Sequence, residues 1–123
     1  MKVPHQIVAL IPLVTFSAAI GAEHPERWYQ EKAAEKLGGK MEVRVPDGRV
    51  DIVTDEYAIE VEFASKWKNA IGQALWYAMQ TNKKAGIVVI IKNAKDAGDA
   101  IRLESVIEHN RLPIRVWRWG EDI

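Results

Sequence analysis

Three carboxylates in this chain fall where they could do metal-assisted chemistry. The stretch from Arg49 to Phe63 alternates with period two on both sides of Asp55-Glu56, the pattern of a β-hairpin. Pairing Thr54 with Tyr57 sets Ile52 opposite Ile59 and Val50 opposite Val61, a coherent apolar face. The same register sets Asp51 opposite Glu60 and Arg49 opposite Glu62. Like charges directly across a strand pair repel. The arrangement therefore calls for a cation, and hard divalent ions take carboxylate oxygens. By strand parity Asp51, Glu60 and Glu62 share one face, with Glu60 and Glu62 roughly 6.5–7 Å apart along the strand. Such a set suits one or two Mg2+ ions, or Mn2+, which would activate water and stabilise charge developing on a phosphoryl oxygen. The plain alternative is a solvated acidic face in which Arg49 neutralises Glu62.

The elements that must position these groups follow from periodicity. His24-Pro25-Glu26-Arg27 opens a helix that runs to about Leu37, with Pro25 near its first turn and Gly38-Gly39 ending it. Met41 to Val45 is a strand and Pro46-Asp47-Gly48 a turn. After the hairpin, Lys66 to Gln80 is a helix with an apolar stripe of Trp67, Ala70, Ile71, Ala74, Leu75, Ala78 and Met79. Lys66, Asn69, Gln73, Tyr77 and Gln80 form a polar stripe beside it. Lys66, then Lys68, are the cations nearest the acids, and Gln73 and Tyr77, one turn apart, could position a phosphate or a water. An ordinary solvent-facing helix would show the same polar stripe. Gly86 to Ile91 reads as a central parallel strand buried on both faces, Asp96 to about Asn110 as a third helix, and Pro113 to Trp119 as a last strand. The order αβββαβαβ describes an α/β fold with a mixed sheet of about five strands flanked by helices.

Asp51 on one strand, Glu60-Val61-Glu62 on the next, and a helix bearing Gln73-Ala74-Leu75-Trp76-Tyr77 together resemble the PD-(D/E)XK nuclease superfamily, in its RecB-like Gln-x-x-x-Tyr branch. That resemblance implies a restriction-endonuclease-like core and hydrolysis of phosphodiester bonds in DNA or RNA with Mg2+ or Mn2+. It makes Asp51 and Glu60 metal ligands, with Glu62 beside them. Gln73 and Tyr77 become accessory groups near the scissile phosphate or bases, with Asn69 and Lys68 on the same helix as further contacts. Some members of the superfamily use an acid on the first helix, a role open to Glu31 or Glu35. The sequence departs from the pattern at one place: Glu62 occupies the position of the motif Lys, and Lys66 is the residue that could replace it. A catalytically inactive nuclease-fold module, binding nucleic acid or a protein partner, is the alternative. The chain also resembles a group of short bacterial proteins with a similar acidic strand and a Lys-Trp helix start.

Composition bounds the remaining possibilities. The 123 residues suit one domain. Residues 1–22 pair a basic start at Lys2 with an apolar run and small residues at its end, the pattern of a signal peptide. The expectation is a periplasmic or secreted domain of residues 23–123 that keeps no membrane span after cleavage. An uncleaved anchor or a buried helix is the competing reading of that run. With Lys2 set aside, 16 basic residues face 17 acidic ones, so the domain carries −1 and does not advertise a polyanion partner by net charge. The chain has no Cys, hence no disulfide. His24 and His109 are too isolated for a zinc site, and Ser65 has no evident His partner for a serine hydrolase. Arg102, Arg111, Arg115 and Arg118 are a candidate basic patch near the C-terminus. Trp117 and Trp119 read as packing residues ahead of base-stacking ones.

Overall fold

A computed structural model describes residues 23–123. The proposed signal peptide lies outside the described residues. Among the described residues the architecture is α/β: a five-stranded mixed sheet in the order β1-β2-β3-β4-β5, flanked by three helices. Its elements are α1 (Glu26–Leu37), β1 (Lys40–Val45), β2 (Gly48–Val53), β3 (Tyr57–Phe63), a 3-10 turn (Ala64–Lys66), α2 (Trp67–Thr81), β4 (Lys84–Ile90), α3 (Ala94–His109) and β5 (Ile114–Arg118). Strands β1, β2 and β3 meander antiparallel, and β4 and β5 join parallel to β3. No helix among the described residues is long and apolar enough to cross a membrane.

Alternating side chains divide the core between the two faces of the sheet. Ile52, Ile59, Val61, Val88, Ile90 and Trp117 pack beneath α1, against Tyr29, Ala33 and Ala34. Ile87, Val89 and Ile114 pack on the other face, beneath Ala70 and Ala74 of α2 and Ala100, Leu103 and Ile107 of α3. Ile52, Ile59 and Ile87 are fully buried, each worth about 1.5–3 kcal/mol of transfer free energy. The alanines Ala70 and Ala74 let α2 lie close to one face of the sheet, and on the opposite face, beneath α1, space is tight at Gly86. A Cβ there would stand 2.7 Å from the Trp117 ring.

Several boundaries differ from the sequence reading for physical reasons. α3 begins before Asp96: the Asn93 side chain caps the helix by accepting from the Asp96 N–H at 2.9 Å, while the Asp96 carboxylate accepts from the Lys92 N–H at 2.9 Å. This reciprocal pair buries Asp96 and satisfies two donors at the helix start. Lys66 lies in the 3-10 turn, not in α2. Met79, assigned to the apolar stripe, is 64% exposed.

Candidate functional site

The β2–β3 ladder is short. Its paired residues are Ile52 with Ile59 and Val53 with Ala58, and the turn is closed by the Thr54 N–H donating to the Tyr57 carbonyl at 2.9 Å. Past Ile52 and Ile59 the strands cease to bond backbone to backbone, and two carboxylates take over. The Val61 N–H donates to Asp51 Oδ2 at 2.9 Å, and the Asp51 N–H donates to Glu60 Oε2 at 3.3 Å. Each acid thus occupies the space where a ladder bond would run and is fixed by the opposite strand. From the other side of the sheet, buried Gln30 of α1 donates Nε2 to the Asp51 carbonyl at 3.0 Å. Asp51 Oδ1 and Glu60 Oε1 accept nothing from the described residues.

Parity sets the face. Glu60 and Glu62 register with Ile87 and Val89 of β4, which point toward α2 and α3. Asp51 follows Val50 and precedes Ile52, whose side chain points toward α1, so Asp51 also lies on the α2 side. Glu60 is buried, while Asp51 and Glu62 are half-buried.

Burial and mutual repulsion hold all three carboxyls above the ordinary range. Desolvation, then the neighbouring Asp51 charge, pushes Glu60 up to about 8. Desolvation, opposed by the Val61 hydrogen bond, raises Asp51 to about 6. Desolvation and Glu26 raise Glu62 to about 7, with Lys66 acting against them. Among the described residues no three His, Cys, Asp or Glu side chains form a group that could hold a metal ion. The expected convergence of three carboxylates is therefore an interlocked pair, Asp51 and Glu60, with Glu62 coupled to it through charge. Two carboxylates with free oxygens do fit the donor set of Mg2+, which takes one or two carboxylates and keeps several waters.

Other site residues fall into place or away from it. The first-helix acid that acts on Asp51, Glu60 and Glu62 is Glu26, which the sequence reading passed over. Glu31 instead pairs with Arg27 at 3.4 Å and Glu35 with Lys32 at 3.9 Å, both on exposed surface. The Pro25-Glu26 start marks Glu26 as the acid at the N-terminal end of α1, but which end approaches the site is set by how the helix docks. Arg49 does not neutralise Glu62; it reaches Glu42 of β1 at 3.5 Å. Lys66 is exposed and its charge acts on both Glu62 and Glu26. Lys68 lies over the Trp67 ring, 5.8 Å from its centre. Asn69 and Gln73 are exposed on α2. Tyr77 packs its hydroxyl against Gly48, which has φ 145°. The C-terminal arginines do not form one free patch: Arg102 pairs with Asp99 at 3.1 Å, Arg118 with Glu104 at 2.7 Å, and Arg115 lies 4.7 Å from the Trp117 ring centre. Trp117 is buried in the core beneath α1, and Trp119 packs edge-on to Tyr29.

No family model matches the chain, and no solved structure matches it. It is similar to proteins of Acanthamoeba polyphaga mimivirus described as containing a KilA-N domain. One is 44% identical over 54 residues, covering 44% of this chain and 22% of the relative. Another is 31% identical over 72 residues, covering 58% of this chain and 20% of the relative. The chain thus spans about a fifth of the length of the curated relatives it matches.

Proposed function

We propose that this chain is a metal-dependent nuclease-like protein that hydrolyses phosphodiester bonds in DNA or RNA, exported through the signal peptide of residues 1–22. The observation that carries the reading is the opening of the β2–β3 ladder at Asp51 and Glu60. Two carboxylates, Glu60 buried and Asp51 half-buried, lie there beside each other, each accepting a backbone N–H and each left with one oxygen that accepts nothing from the described residues. Crowding and burial resist full ionisation of this pair, and a divalent cation, for which Asp51 and Glu60 would be the ligands, would favour the ionised form. A bound Mg2+ or Mn2+ supplies an activated water and charge stabilisation at phosphorus. Asp51 and Glu60 would hold the ion, and neither side chain can rotate without breaking its hydrogen bond. Lys66 offsets Glu62 and would orient the attacking water, and Gln73 and Tyr77 would contact the phosphate or bases. The resemblance to PD-(D/E)XK nucleases in motif and element order supports the same assignment. In the mimivirus relatives the shared stretch belongs to a much longer chain, which suits a module that works beside other domains.

A second reading is favoured by Glu62 at the motif-Lys position and by the lack of a third gathered ligand among the described residues: a module that binds nucleic acid or a protein partner without turnover. Plasmid nicking with Mg2+ or Mn2+ separates the two. The nuclease reading expects nicking by the wild type and loss of at least tenfold in Asp51→Asn. Equal nicking by both, or none by the wild type with DNA still bound, overturns it.

A further inference from the structure

We propose that Arg44 and Arg49 form a phosphate-binding rung for a nucleic-acid strand entering the acid site. The inference deepens the nuclease reading and rests on it for the identity of the polyanion. The two arginines are direct partners across the β1–β2 ladder, so their guanidinium groups leave the same face together. Like charges in that position are unfavourable unless an anion sits between them. Both are exposed. Arg44 makes no ion pair with any described residue, and Arg49 has only Glu42 at 3.5 Å, a carboxylate it shares with Arg27 at 3.0 Å.

Their position relates them to the chemistry. Arg49 precedes Asp51 by two residues, so it lies on the same face and roughly 7 Å along the strand. Gly48, the next residue back, carries the Tyr77 hydroxyl against it. Along β2, Arg49 therefore falls between Asp51 and Gly48, where the Tyr77 hydroxyl packs. Glu42, the residue between those paired with Ile52 and Val50, lies opposite Asp51 and has φ 52°, an uncommon conformation for a residue with a side chain. Arg27 and Arg49 hold its carboxylate. Cation-seeking oxygens next to paired guanidinium groups suit a chain of regularly spaced phosphates, one at the acids and the next at the rung. Guanidinium binds phosphate through two parallel N–H bonds.

The test is fluorescence anisotropy of a short labelled oligonucleotide in Ca2+, with the NaCl concentration varied. Arg44→Gln and Arg49→Gln are each expected to weaken binding about tenfold and to reduce the slope of log affinity against log salt by about 1, as for one lost phosphate contact. The double Lys variant should retain most of the slope, since it keeps the charges. Arg102→Gln, which removes an arginine already paired with Asp99, should bind as wild type does. Loss of binding in the double Gln variant supports the rung even if plasmid is never nicked. An unchanged salt slope in that variant overturns it even if plasmid is nicked. Displacement of the oligonucleotide by polyglutamate as readily as by unlabelled oligonucleotide also overturns it, in favour of an acidic protein partner.

Discussion

Replacing Glu60 by Gln removes a charge that the fold suppresses and keeps an oxygen that can accept the Asp51 N–H. Glu60 titrates at about 8 in the folded chain against an ordinary 4.5. A raised carboxyl favours folding only while it is protonated in both states. Its contribution is intact below about pH 4.5 and is lost as pH rises toward 8, because the unfolded state sheds the proton first. At pH 7, about 2.5 pH units above the ordinary value of 4.5, this corresponds to about 3.5 kcal/mol at roughly 1.4 kcal/mol per pH unit. Glu60→Gln should recover most of that in metal-free protein. A domain of this size gains about 4–8 °C in Tm per kcal/mol, so the variant should melt about 10–25 °C higher near pH 7. Differential scanning calorimetry in EDTA at pH 4 and pH 7 reads the effect directly. A variant that is no more stable than wild type at pH 7, or whose advantage is the same at pH 4, refutes the claim that Glu60 is held protonated by burial and Asp51.

Millimolar Mn2+ at neutral pH should raise the Tm of the wild type and leave Glu60→Gln nearly unmoved, since binding to the folded state alone stabilises it; equal shifts in both would place the ion elsewhere. Gly48→Ala should cost about 1–3 kcal/mol, from the positive φ and the Tyr77 hydroxyl together. Tyr77→Phe in that background should return part of the loss, which a double-mutant cycle in urea would measure. Asn93→Ala should cost about 1 kcal/mol by removing the α3 cap, seen as a lower urea midpoint with an unchanged m-value.

The parts of this structure that were legible in the sequence are those set by periodicity. The two-residue period of the hairpin placed Ile52 against Ile59, and the apolar run from Gly86 marked the buried parallel strand. Periodicity reports which face a side chain takes, not whether the backbone ladder continues. Val50 and Val61 keep the apolar pattern, yet side-chain carboxylates intercept the N–H groups of Asp51 and Val61. Arg49 illustrates a second limit of the same kind: a two-strand reading offers it Glu62, but β1 on its other side supplies Glu42. Choosing between Glu26 and Glu31 needs the docking of α1, because a helical wheel does not say which end of the helix approaches the acids. The α3 start was readable after all, since Asn93 followed three residues later by Asp96 is a capping pattern.

Crystals soaked in Mn2+ near neutral pH, with data collected at the manganese edge, test the central claim most directly. An anomalous peak bridging Asp51 Oδ1 and Glu60 Oε1, with the Asp51 and Val61 N–H bonds still in place, is the result this account requires. An ordered site with no peak between those oxygens, in protein that has been given ample metal, contradicts it.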